Sequence, residues 1–142
     1  MEREAACTLI AASCTTGWFD WIHGELWLCP DGMLRRSLGL RTTISHVDMG
    51  GANQTVDPEN RPTRAFSSEE VRQIAGAGKR NHWIAWEDVS HATLKGGLVD
   101  HSLHLELRDG SRVKFLWLRM DGGGDLLKEA LSKSLGGRFR AG

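Results

Sequence analysis

The sequence lacks an excess of charge of either sign: its 18 Lys and Arg are matched by 18 Asp and Glu. No long-range positive field is available to gather nucleic acid or an anionic bilayer, so binding driven by bulk electrostatics is not expected. Cysteine is scarce as well. Cys7, Cys14 and Cys29 form an odd set without C-x-x-C spacing, and a chain with enough apolar residues for a core needs no disulfide framework; reduced thiols in a reducing compartment are expected. No run approaches the roughly 20 apolar residues of a membrane span. The apolar stretch Ala5 to Cys14 ends in Ala12-Ser13-Cys14, which hints at lipid attachment. It is short, however, is interrupted by Thr8, and follows Met1-Glu2-Arg3-Glu4, whose net negative charge stands where a secretory leader needs positive charge. A cytoplasmic chain is expected, with peripheral contact at a membrane as the alternative.

Signatures of catalysis are missing too. There is no G-x-S-x-G, no phosphate-cradling G-x-x-x-x-G-K and no Cys in a local nucleophile motif. Gly122 to Gly124 lacks a following Lys and reads as a linker into a helix. The six histidines include no H-x-x-x-H on a helix and no Cys-His pairing, so no zinc site is expected. His101 and His104, three apart on a strand, point to opposite faces. His82 and His91, or His23 and His46, could meet only through the fold. The expectation is a non-enzymatic chain without cofactor, metal or catalytic residue.

What is present is mostly strand. At 142 residues a single domain over 1–142 with one core is expected. Thr8 to Ser13 is a short apolar strand. Gly24 to Cys29 alternates Leu26 and Leu28 against Glu25 and Trp27, and Pro30-Asp31-Gly32 turns the chain, with Asp-Gly supplying a positive φ. Met33 to Ser37 returns antiparallel, and the β-branched residues of Arg41 to Val47 predict a fourth strand. Asp48 to Arg64, with its Gly, Asn, Asp and Pro, reads as a loop. Ser67-Ser68-Glu69-Glu70 has the S-x-x-E form of a capping box and opens a short helix that ends by Lys79.

The last third has the clearest pattern. Val89 to Leu94 is followed by a Gly-rich turn, Lys95-Gly96-Gly97-Leu98. Leu103, Leu105 and Leu107 alternate with His104, Glu106 and Arg108; Asp109-Gly110 forms a hairpin turn; Val113, Phe115 and Trp117 alternate with Arg112 and Lys114. Asp125 is the expected N-cap of a helix that Gly136 ends, with Leu127, Leu131 and Leu135 on one stripe.

Four strands, an irregular segment, three strands and one amphipathic helix resemble, in order, the pleckstrin-homology-like superfold, including bacterial PH and GRAM domains. Trp86-Glu87-Asp88-Val89, the meander ending in Arg108-Asp109-Gly110, and the run Leu126 to Gly136 are similar to the second half of such domains. The resemblance implies a mainly β (α+β by count) bent barrel of about seven antiparallel strands closed by the C-terminal helix. Its core would span 7–47 and 83–136, with a loop and a short helical insertion between strands four and five at 48–82. It also implies that phosphoinositides, where bound, meet cations between strands one and two, yet Cys14 to His23 holds no Lys or Arg. Peptides, where bound, would lie between Val89 to Leu94 and the helix stripe Leu127 to Leu135, or add to the sheet edge.

The binding candidates follow from side chains. In Gly17-Trp18-Phe19-Asp20-Trp21-Ile22, four large apolar residues crowd five positions: either alternate rings pack into the barrel, or Trp18, Phe19 and Trp21 are exposed anchors for a partner. Asp20 and the want of lysines favour a protein over a bilayer. Trp27, opposite in parity to Leu26 and Leu28, is a candidate contact on the outer face. Arg35, Arg36 and Arg41 form the best basic cluster, although Arg35 and Arg36 point to opposite faces of a strand. Trp83 and Trp86 fit core packing better than an aromatic recognition pair. A protein or peptide interaction module is therefore expected, with lipid binding through the aromatic segment and a homo-oligomeric structural role as alternatives.

Overall fold

The computed structural model describes residues 5–14, 24–37, 61–78, 81–96, 100–118 and 122–141. The expected fourth strand at 41–47, most of the expected loop at 48–64, and Trp18, Phe19, Trp21 and Arg41 lie outside them.

Alternating residues form the predicted strands β1 (Ala5–Cys14), β2 (Gly24–Cys29) and β3 (Gly32–Ser37). Both pairings, β1 with β2 and β2 with β3, are antiparallel. β4 (Thr63–Phe66) adds to the free side of β1, and β5 (His82–Ala85) to the free side of β3, giving the order β4-β1-β2-β3-β5. A 3-10 turn at Trp86–Asp88 leads into the second sheet. Here β6 (Val89–Gly96), β7 (Asp100–Leu107) and β8 (Arg112–Leu118) form the predicted meander. A last short strand, β9 (Phe139–Ala141), runs parallel to β6 on its free edge.

The described residues therefore form two sheets, of five and four strands, and no closed barrel. The strands β4, β5 and β9 are four, four and three residues long. Stretches so short carry almost no alternation, and they form because an existing strand offers unpaired backbone groups along its edge.

The helix α1 (Ser68–Gly76) begins as its capping box predicts: the Ser67 hydroxyl accepts from the Glu70 amide at 3.1 Å, and a Glu70 carboxylate oxygen accepts from the Ser67 amide at 3.4 Å. The helix α2 (Gly124–Leu135) ends at Gly136 as expected, but its N-cap is Gly123 in a left-handed conformation, and Asp125 falls in the first turn. Positive φ at Gly122 and Gly123 brings the chain into the helix before Asp125 is reached, so Asp125 serves the helix dipole instead of the cap.

Two glycines in expected hairpins act differently. Gly110 has φ 89° and takes up the left-handed position between β7 and β8. Gly32 has no positive φ; it pairs with Cys29 across a turn centred on Pro30 and Asp31. It must be glycine for another reason: an added Cβ would run into the Ile84 carbonyl oxygen of β5.

Two clusters organise the interior. The larger lies between the sheets, where Ile10, Leu26 and Met33 of the first meet Leu103, Leu105, Phe115 and Trp117 of the second. The leucines 127, 131 and 135 of α2 close it. Each such buried side chain contributes roughly 1.5–3 kcal/mol of transfer free energy. The smaller cluster covers the opposite face of the first sheet: Trp27, Leu34 and Phe66 pack under Val71 and Ile74 of α1. In this cluster Cys7 and Cys29 are joined by a disulfide. The pairing of Thr8 with Leu28 sets these cysteines directly opposite, with Cα atoms 4.3 Å apart. This corrects the expectation of reduced thiols, since such a link persists where thiols are oxidised; Cys14 lies outside the disulfide and is buried.

Candidate functional site

The distribution of cover decides where a site can be. Both faces of the first sheet are occupied, one by the shared core and the other by α1. The second sheet turns one face into the core through Ala92, Leu94, Leu103, Leu105, Phe115 and Trp117. Its other face has no covering element among the described residues.

Strand register builds that face in rows. Thr93 of β6 pairs with His104 of β7, which pairs with Lys114 of β8. The next row runs His91, Glu106, Arg112, and Lys95 flanks Ser102 on the other side. A shallow hollow of about 480 Å³ lies over these rows, lined by His91, Thr93, His104, Glu106, Arg112 and Lys114, with Leu105 and Val113. The hollow sets Arg112 and Lys114 against the carboxylate of Glu106, with Lys95 further along β6 on the same face, a local positive excess on a chain of zero net charge. The His104 imidazole is held below its ordinary pKa, first by partial desolvation and then by the charges of Lys114 and Lys95. Positive charge thus converges on the middle of the hollow.

Those predicted site residues that are described are not gathered here. Trp27 does project away from Leu26 and Leu28, as parity requires, but that face is covered. The ring is only 5% exposed and meets Phe66 edge-on at 5.2 Å, while its Nε1 donates to Glu25 at 3.4 Å. It is a core residue and not an outer contact. The arginines 35 and 36 do face opposite ways. Arg35 is fully buried and donates from Nη2 to the Cys14 carbonyl oxygen at 2.8 Å; Arg36 lies 3.8 Å from Glu25. Val89 and Leu94 are buried in the shared core.

The expected peptide groove beside Val89 to Leu94 is filled by the chain itself. β9 takes the edge of β6, pairing Ala92 with Phe139 and Leu94 with Ala141. Arg138 secures it by donating to the Val89 carbonyl oxygen at 2.6 Å. The shortness of β9, and its position past a helix-ending glycine, hid this strand from sequence reasoning.

A second hollow, of about 530 Å³, sits at the start of α2 between Arg61, His101 and Gly122 to Gly124. The Arg61 guanidinium there donates to the Leu9 and Ile10 carbonyl oxygens at 3.2 and 2.9 Å, so it is engaged with the β1 backbone. His101 packs against Trp117 with ring centroids 5.6 Å apart, on the other side of β7 from His104. Among the described residues no three His, Cys, Asp or Glu side chains come together as a metal site.

No family model and no curated protein matches the chain. Geometry is therefore the ground for a functional reading. Among the described residues no helix is long and apolar enough to cross a membrane, and Leu126 is the large apolar side chain left exposed.

Proposed function

We propose that the chain is a non-enzymatic interaction module that holds a protein or peptide partner on the outer face of the β6-β7-β8 meander. One observation carries the reading: this is the sheet face left without cover among the described residues, and it has a hollow with room for several peptide side chains, lined by donors and acceptors from three strands. Rows of side chains pinned by a backbone ladder over a packed leucine core lose little freedom on binding, which favours recognition by a rigid surface. The two sheets, the inserted α1 and the leucine-striped α2 are consistent with a PH-like architecture, a superfold that hosts many unrelated binding roles. Within that reading the edge of β6 is satisfied by β9, which moves the binding surface from the edge to the face.

Selection from a random peptide library displayed on phage tests the proposal. Peptides enriched on the wild-type protein should lose binding to a Thr93→Trp variant of unchanged thermal stability, whose neutral ring fills the hollow. Enrichment that is indifferent to Thr93→Trp, or no enrichment at all, would overturn it.

A further inference from the structure

Resting on the reading of this face as a binding surface, we infer that its partner is an acidic peptide segment, whose carboxylates are met by Lys95, Lys114 and Arg112 around His104. The argument is charge complementarity at a defined place. Lys114 lies beside His104 in the β7–β8 register, Arg112 pairs with Glu106 one row away, and Lys95 pairs with Ser102 on the opposite side. Arg112 and Lys114 thus line one hollow together with the carboxylate of Glu106, and Lys95 stands on the same face two residues beyond Thr93. Like charges brought together on a sheet repel one another. A ligand carboxylate relieves that repulsion and gains charge-assisted hydrogen bonds.

The peptide class is favoured over other anions by the rest of the surface. A bilayer would need apolar side chains to insert, and the exposed Leu126 is on α2, not on this face. A long polyanion such as nucleic acid would meet a chain of zero net charge beyond the hollow. The cations are spread over two strands, β6 and β8, on either side of His104 instead of focused on one point, which suits carboxylates spaced along an extended chain. Glu106, seated between His91 and Arg112, can accept a hydrogen bond from the peptide backbone.

The perturbed imidazole supplies a second readout. The groups facing His104 are Thr93 and Lys95 from β6, Glu106 from its own strand and Lys114 from β8, with Arg140 of β9 paired to Thr93 at the end of the same row and His91 and Arg112 one row away. A carboxylate seated among them offsets Lys114 and Lys95, so the His104 pKa rises on binding, and by linkage the affinity increases as pH falls through it.

The test uses the full chain and three fluorescein-labelled decapeptides of alternating residues: Glu-Ser, Gln-Ser and Lys-Ser. The Glu-Ser peptide should bind at least about tenfold more tightly than the Gln-Ser peptide, and weaken several-fold from about 50 mM to about 300 mM salt. The double charge reversal Lys95→Glu with Lys114→Glu should abolish that preference, the milder Lys95→Gln with Lys114→Gln should reduce it, and circular dichroism should confirm that both fold. Phosphate at millimolar concentration should not compete, and vesicles with phosphatidylserine should not carry the protein down. Equal binding of all three peptides on this face would overturn the acidic-partner inference while leaving the binding surface standing. No perturbation of the β6-β7-β8 face by any peptide would overturn both. Vesicle binding without peptide preference, or competition by phosphate alone, would assign the cations to another anion and also overturn the inference.

Discussion

The Trp86 indole nitrogen donates to the Pro30 carbonyl oxygen at 3.1 Å across 56 residues of sequence. The Trp86 amide donates to the neighbouring Asp31 carbonyl oxygen at 3.0 Å. These bonds fasten the β2–β3 turn to the 3-10 turn from which the second sheet departs, so one residue, through its side chain and its amide, fixes where the two sheets meet. Trp86→Phe keeps an aromatic ring in the core and leaves the Pro30 carbonyl unpaired, which should cost about 1–2 kcal/mol in urea unfolding. A smaller loss would mean that water replaces the indole.

The two hairpin glycines should respond differently to alanine. At Gly110 nothing lies within 4 Å of an added Cβ, and only the positive φ opposes it, so the loss should be about 1 kcal/mol. At Gly32 the added atom meets the Ile84 backbone carbonyl, which cannot swing aside without breaking the β3–β5 pairing. Gly32→Ala should therefore cost more, about 1–3 kcal/mol, and release β5 amides to hydrogen exchange. Equal losses at the two positions would contradict this account.

Much of this architecture was legible in the sequence, and the exceptions have physical causes. Leu103, Leu105 and Leu107 announced β7 by strict alternation, Ser67 with Glu70 announced α1 by its cap, and Leu127, Leu131 and Leu135 announced the buried stripe of α2. β5 and β9 were not legible, because a three- or four-residue strand exists through the edge it joins. Trp27 shows the limit of parity: alternation separates two faces but does not say that α1 and Phe66 cover the second. The candidate site was half legible. His104, Glu106, Arg112 and Lys114 were visible as the polar side of two strands, but their convergence depends on cross-strand register, which alternation within each strand does not set.

The disulfide between Cys7 and Cys29 predicts a simple thiol count. Denatured without reductant, the protein should react with one equivalent of maleimide, at Cys14; after reduction it should react at all three cysteines. Replacing both Cys7 and Cys29 by alanine should cost about 3 kcal/mol, the scale expected for a loop closed over a separation of 22 residues. Three reactive thiols before reduction would contradict the cross-link.

Two groups give stability a pH dependence of known sign. His104 has its pKa depressed below its ordinary 6.5 in the fold. As pH falls through that value the unfolded chain takes up the proton first, so stability declines until His104 itself protonates. His104→Gln should flatten this decline. The Asp109 carboxylate is held below its ordinary 3.8 by accepting first from the Ser111 hydroxyl and then from the Ser111 amide, at 2.6 and 2.8 Å. Its contribution is present above the unfolded value and is lost as pH falls through the folded one. Asp109→Asn should remove that acid-side loss.

The central claim is that the outer face of β6, β7 and β8 is the binding surface, and amide chemical-shift mapping of the full chain tests it most directly. On titration with a library-selected peptide, the perturbed amides should cluster at Thr93, Lys95, His104, Arg112 and Lys114, with those of α1 unmoved. Perturbations centred on α1 or on the β4 edge, with the rows around His104 silent, would contradict it.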